Sequence, residues 1–147
     1  MAHSNPGFPL SKTDIDTAVR TYWKIFTSKK EVDNQKNWYT DNAIIFATTS
    51  KRPEPARLVS VRRQREYLDH ATKMKVEIAN IEVELLGAND GYAAYVMQFH
   101  AEQIATFKAS GQTVTEEHME HARVTQIFHR EADGALKIVH EHISAPE

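Results

Sequence analysis

The stretch HARVTQIFHREADGALKIVHEHIS, residues 121–144, decides the fold. Two apolar-rich runs, 122–128 and 136–143, flank a polar connection in which Ala132-Asp133-Gly134 marks a turn. That pattern is an antiparallel hairpin. Its second strand ends in Val139-His140-Glu141-His142, three ionisable groups in a row within an otherwise apolar run. Burying such groups costs free energy unless they are paired or used.

The rest of the chain sets the context. Its 147 residues, 41% hydrophobic and 26% charged, suit one globular domain able to bury a core without staples. A formal charge of −2 gives no electrostatic case for nucleic acid or an anionic membrane, and no apolar run approaches a membrane span. The absence of cysteine excludes disulfides, thiol catalysis and Cys-ligated zinc, and favours a reducing compartment. The first residues show no basic region followed by an apolar stretch, so the expected location is the cytoplasm.

Residues 1–10, with Pro6, Gly7 and Pro9, are expected to be a flexible lead-in to a single domain over 11–147. Ser11 and Asp14 resemble a capping box, and Ile15, Ala18, Val19, Tyr22, Ile25 and Phe26 then recur at helical spacing. A short helical piece is expected over 32–39 and a strand over 43–48, after the Asp41-Asn42 turn signal. Pro53 and Pro55 place 51–55 in a loop. A second helix is expected from Val61 to about Lys73, capped by Ser60, with Arg62, Arg63 and Arg65 on its solvated face. Three long strands follow, covering 74–85, 92–108 and 112–130, before 136–143. In the first of them the alternation changes phase near Ala79-Asn80, which predicts a bulge. Helices first and hairpin-linked strands afterwards make an α+β protein, its helices on one face of a curved antiparallel sheet that encloses a pocket.

This order resembles the nuclear transport factor 2-like superfamily. The resemblance extends to its SnoaL-like group and to the association (hub) domain of calcium/calmodulin-dependent kinase II. It is carried by Leu85-Leu86-Gly87, Ala94-Tyr95-Val96, Arg123-Val124-Thr125, Phe128-His129-Arg130 and Ile138 through Ser144. Trp38-Tyr39-Thr40-Asp41-Asn42-Ala43 looks like the turn by which these proteins enter their first strand. The resemblance implies a cystatin-like cone holding a small apolar molecule, and a homodimer formed through the outer sheet face. It leaves the chemistry open, because the fold hosts isomerases, cyclases, dehydratases and association modules. Where ketosteroid isomerase-like members carry their acidic groups, this chain has about Ala47 and Val124, so that constellation is missing.

Alternation separates Leu136, Ile138, His140 and His142 from Lys137, Val139, Glu141 and Ile143. By the resemblance, the second set faces the pocket. The same register turns Val124, Gln126 and Phe128 inward on the neighbouring strand, and Tyr95, Met97 and Phe99 on the next; Tyr22 and Phe26 would reach down from the first helix. Glu141 is the sharpest candidate. A carboxylate in an apolar cone has its pKa pushed up by desolvation and suits general acid or base work. Tyr22 would donate to a developing oxyanion, and Gln126 would orient a substrate carbonyl. Against this stands a supporting role for Glu141, paired with a nearby Arg or Lys or bonded to Tyr22. No metal is expected, since His118 and His121, three apart, point to opposite faces of an extended strand. The expected function is small-molecule binding, extending to cofactor-independent isomerase, cyclase or dehydratase chemistry on an apolar carbonyl compound. The alternative is a non-catalytic association or ligand-binding module.

Overall fold

Helix α1 (Lys12–Phe26) starts at the expected capping box: the Ser11 hydroxyl accepts from the Asp14 N–H, and the Asp14 carboxylate accepts from the Ser11 N–H. Its buried residues are Ile15, Ala18, Val19, Tyr22, Trp23 and Phe26, the predicted stripe, which Trp23 widens as expected, with Ile25 left at its edge. This computed structural model describes residues 8–28, 34–106 and 109–145. Residues 1–7 of the expected lead-in, and 32–33 of the expected short helix, lie outside the described residues. From Phe8 onwards the chain is anchored: Leu10 is buried, its N–H donates to Ala88 O, and Arg130 donates to Phe8 O.

A 3-10 helix, Asn34–Trp38, leads into β1 (Tyr39–Phe46). After β2 (Glu54–Pro55) come α2 (Ala56–Leu68), β3 (Ala71–Leu85), β4 (Asp90–Thr106), β5 (Thr113–Arg130) and β6 (Leu136–Ser144). The strands form one sheet in the order β2-β1-β6-β5-β4-β3, antiparallel except where β1 runs parallel to β6. The fold is the expected α+β cone. Among the described residues no helix is long and apolar enough to cross a membrane.

Beyond the Asp41-Asn42 turn signal, which lies inside β1 and not before it, the structure corrects three local expectations. Segment 51–55 is not all loop, because Glu54 and Pro55 pair with Ile45 and Ile44 at the sheet edge, where proline is tolerated. Helix α2 begins at Ala56, five residues before Val61, and ends at Leu68, while Lys73 already belongs to β3. Ser60 is therefore inside the helix, its hydroxyl donating to Arg57 O instead of capping. The third correction concerns β6. Its ladder with β5 shifts register between Ile127/His140 and Phe128/Ile138, so Val139 is the extra residue of a bulge. Leu136 and Ile138 are consequently core residues, and Val139 is half-buried instead of facing a pocket.

The bulge predicted in β3 is present, with Asn80 at φ 54° and the register shifting between Ala79 and Glu82. Gly91 of β4 lets α1 settle onto the sheet. A Cβ there would lie 2.5 Å from Ile15 Cδ1 and 2.9 Å from the backbone oxygen of Glu84. The isoleucine tip can turn away, but the strand backbone cannot. Gly91→Ala is expected to lower stability by about 2 kcal/mol, read as a shifted urea midpoint; an unchanged midpoint would mean α1 does not seat this closely.

Candidate functional site

Glu141 is fully buried, and its two oxygens collect donors from three elements, β5, β1 and α2. Gln126 Nε2 donates to Oε1 at 2.6 Å, and Tyr39 Oη donates to the same oxygen at 3.1 Å. Arg63 Nη2 of α2 donates to Oε2 at 3.3 Å, an ion pair in which the carboxylate is sealed and the arginine side chain is 17% exposed. Behind Gln126, Tyr95 Oη donates to its Oε1 at 2.6 Å, and Trp23 Nε1 donates to Tyr95 Oη at 2.7 Å.

A carboxylate only accepts, and this fixes the direction of every bond. Tyr39 gives its single proton to Glu141, so in the short Tyr22–Tyr39 phenol pair Tyr22 is the donor. Tyr22 in turn accepts from Arg63 Nη2 at 3.4 Å. Two relays, Trp23–Tyr95–Gln126 and Arg63–Tyr22–Tyr39, therefore both point at Glu141. Burial, with the Glu141 charge adding to it, pushes the phenols of Tyr22, Tyr39 and Tyr95 above their ordinary value and keeps them protonated donors. Burial acts on Arg63 in the opposite sense, but the Glu141 carboxylate outweighs it and holds the guanidinium above its ordinary pKa.

Beside this network lies a cavity of about 390 Å³ between the helices and the sheet. Its apolar wall includes Trp23, Phe26, Val59, Met97, Phe99 and Ile143. Its polar lining includes Arg62, Arg63, Glu66, Tyr67, Glu120 and His121. The three residues expected to do chemistry are thus brought together, Glu141 touching Gln126 directly and Tyr22 through Tyr39 and Arg63. None of the three is among the cavity-lining residues. Of the expected lining, Phe26, Met97 and Phe99 are in place. Tyr95, Val124 and Phe128 are instead buried in the core beyond the cavity, and Val139 sits on the bulge.

Arg63 is a residue that sequence reasoning missed, and with Trp23 it is one of two members of the network that also line the cavity. It does not belong to a solvated face. Val59, Arg63 and Tyr67 follow at four-residue spacing, in line with buried Ala56, Ser60, Gln64 and Leu68. Starting the helix at Val61 hid that stripe. Gln64 adds to the docking of α2, its Nε2 donating to the terminal α1 carbonyls of Ile25 and Phe26 at 3.2 and 3.3 Å. His140 and His142 lie elsewhere, against Phe46 with ring centroids 6.5 and 6.0 Å apart.

No family model matches the chain, and no curated protein matches it significantly. Solved structures share its fold. A Xanthomonas campestris protein assigned as a calcium/calmodulin dependent protein kinase II association domain aligns with TM-score 0.68 and 18% identity, over 99% of this chain and 95% of that one. A nuclear transport factor 2-like superfamily protein of Salmonella enterica gives 0.68 at 15% identity, over 92% and 91%. A Novosphingobium aromaticivorans protein assigned as a scytalone dehydratase gives 0.71 at 7% identity, over 90% and 82%. Sequence identity this low speaks to architecture alone: the chain has the nuclear transport factor 2-like cone.

Removing one partner of a buried ion pair strands the other. Arg63→Met is expected to cost about 3 kcal/mol in urea unfolding. The double variant Arg63→Met/Glu141→Gln should cost clearly less than the sum of the two single changes. Additive losses would show that the two groups are not coupled.

Proposed function

We propose that the protein binds a small, mostly apolar carbonyl compound in the cavity between its helices and sheet. The observation that carries this reading is the dual position of Arg63. Its Nη2 is engaged by Glu141 and Tyr22, while the same side chain lines the cavity and its buried Nε has no partner. The arginine is charge-balanced by Glu141 yet retains donor capacity, which suits a neutral acceptor such as a carbonyl better than a second carboxylate. The surrounding wall is apolar and aromatic, and the volume lies within the range of small-molecule sites.

Acid/base chemistry by Glu141 is the second reading, favoured by its convergence with Tyr22 and Gln126 and by the fold likeness to a protein assigned as a dehydratase. It carries a structural condition. Glu141 must be released by Arg63 or Tyr39 before it can meet a ligand, because its oxygens are turned toward them.

Acetophenone is a suitable probe. At about ten times Kd, binding should add roughly 1.4 kcal/mol and raise Tm by roughly 4 °C. Ala47→Trp, which fills the cavity from its rim, should remove the shift. If neither acetophenone nor other small ketones move Tm, the cavity is not a ligand site. Deuterium exchange at the acetophenone methyl group, catalysed by the wild type and lost in Glu141→Gln, would turn the reading from binding to catalysis.

We also propose a homodimer through the outer sheet face. Tyr92, Ala94 and Val96 of β4, Thr125 and Ile127 of β5 and His140 of β6 occupy that face, and Ile44 beside His140 is 43% exposed. The fold likeness to association domains supports this reading. Sedimentation equilibrium is expected to show a dimer, and Ile127→Asp a monomer. A wild-type chain that stays monomeric at micromolar concentration would defeat it.

A further inference from the structure

The cavity has two chemically different ends. At one, Arg63 lies over the Phe26 ring, with its guanidinium carbon 5.9 Å from the ring centroid, and can only donate. About one helical turn along α2, roughly 6 Å, Tyr67 faces the same space from the other end. Its hydroxyl donates to Glu120 Oε2 of β5 at 3.1 Å, and His118 Nε2 lies 3.4 Å from Glu120 Oε1 and 3.4 Å from the Tyr67 oxygen. Burial, reinforced by the Glu120 charge, raises the Tyr67 pKa, so this phenol keeps its proton and its bond. With that proton committed to Glu120, the Tyr67–Glu120 pair presents acceptors to an occupant. Between the ends the wall is aromatic, Tyr67 packing on Phe99 at 4.6 Å and lying 6.5 Å from Phe26, centroid to centroid.

We infer that the cavity selects an aryl carbonyl compound that also bears a hydroxyl group. Its carbonyl accepts from Arg63, its ring lies along Phe26 and Phe99, and its hydroxyl donates to Glu120. This deepens the binding reading above and rests on it. Glu120 becomes a specificity residue that the β6 motif gave no reason to consider, and Tyr67 holds it in place.

The test compares acetophenone, 4-hydroxyacetophenone and 4-methoxyacetophenone by calorimetric titration of the full chain. The hydroxy compound should bind about fivefold or more tightly than the methoxy compound, which cannot donate. Glu120→Ala, at a position with the side chain 47% exposed, should collapse that ratio to near one, with circular dichroism confirming the fold. Tyr67→Phe should reduce the ratio by loosening Glu120. Equal binding of all three ketones, or tighter binding of the methoxy compound, overturns the inference and leaves the cavity reading intact. A ratio that survives Glu120→Ala overturns the assignment to Glu120. If none of the three binds, the cavity reading fails and the inference with it.

Discussion

A carboxylate with no access to water is the constraint from which the rest of this structure follows. Glu141 can neither donate nor reach solvent, so each of its neighbours must arrive with a proton pointed at it. That requirement recruits α1 through Tyr22 and Trp23, β1 through Tyr39, β4 and β5 through Tyr95 and Gln126, and α2 through Arg63. Oriented chains of this kind polarise one another and lose more than a single bond when one member is removed. The aromatic members add edge-on packing around Tyr22, whose ring lies 4.9 Å from Trp23, 5.9 Å from Trp38 and 6.0 Å from Tyr39. The polar network and the apolar core are therefore built from the same side chains.

The network also separates support from binding. The side chains that meet Glu141 seal it from solvent, while toward α2 the structure leaves a cavity. Small residues account for part of that space, since Ala47 and Ala122 lie where larger side chains would close it. Arg63 stands at the boundary. A neutral ion pair at the base of an apolar cavity gives direction without net charge, and direction is what a neutral polar ligand can sense. Glu66 of α2 and Glu120 and His121 of β5 add further polar groups to the lining. The cavity is consequently polar at separated points and apolar between them.

Much of the architecture could be read from residue pattern. The capping box, the stripe of α1 and the β3 bulge follow from periodicity and occur as expected; the inward set Tyr95, Met97, Phe99, Val124, Gln126 and Phe128, implied by the family resemblance, is buried, but of it only Met97 and Phe99 line the cavity. Helix α2 was less legible because Arg62, Arg63 and Arg65 look alike in sequence, and Ala56 and Val59, which mark the inward face, precede the expected start of the helix. Its start is set by the chain leaving the edge strand at Pro55, a tertiary event with no local signature beyond the proline itself. Cavity and core were not separable either. Tyr95 and Met97 share a face of β4, yet one is fixed by Trp23 and Gln126 while the other lines open space.

The β6 motif shows how an inward placement can rest on an incomplete reason. Simple alternation puts Glu141 and Ile143 inward only if Lys137 and Val139 are inward too. In the structure Leu136 and Ile138 face the core, and an unbroken strand would then carry His140 and His142 inward and turn Glu141 out. The extra residue at Val139 reverses the phase. Strand β1 breaks register at the same level, passing from Tyr39 opposite Ile138 to Ile44 opposite His140. Both neighbours of β6 thus accommodate one irregularity. Its effect is to let a single strand place two apolar residues, and then a carboxylate, on the same interior face. The bulge, more than the His-Glu-His sequence around it, is what brings Glu141 within reach of Arg63.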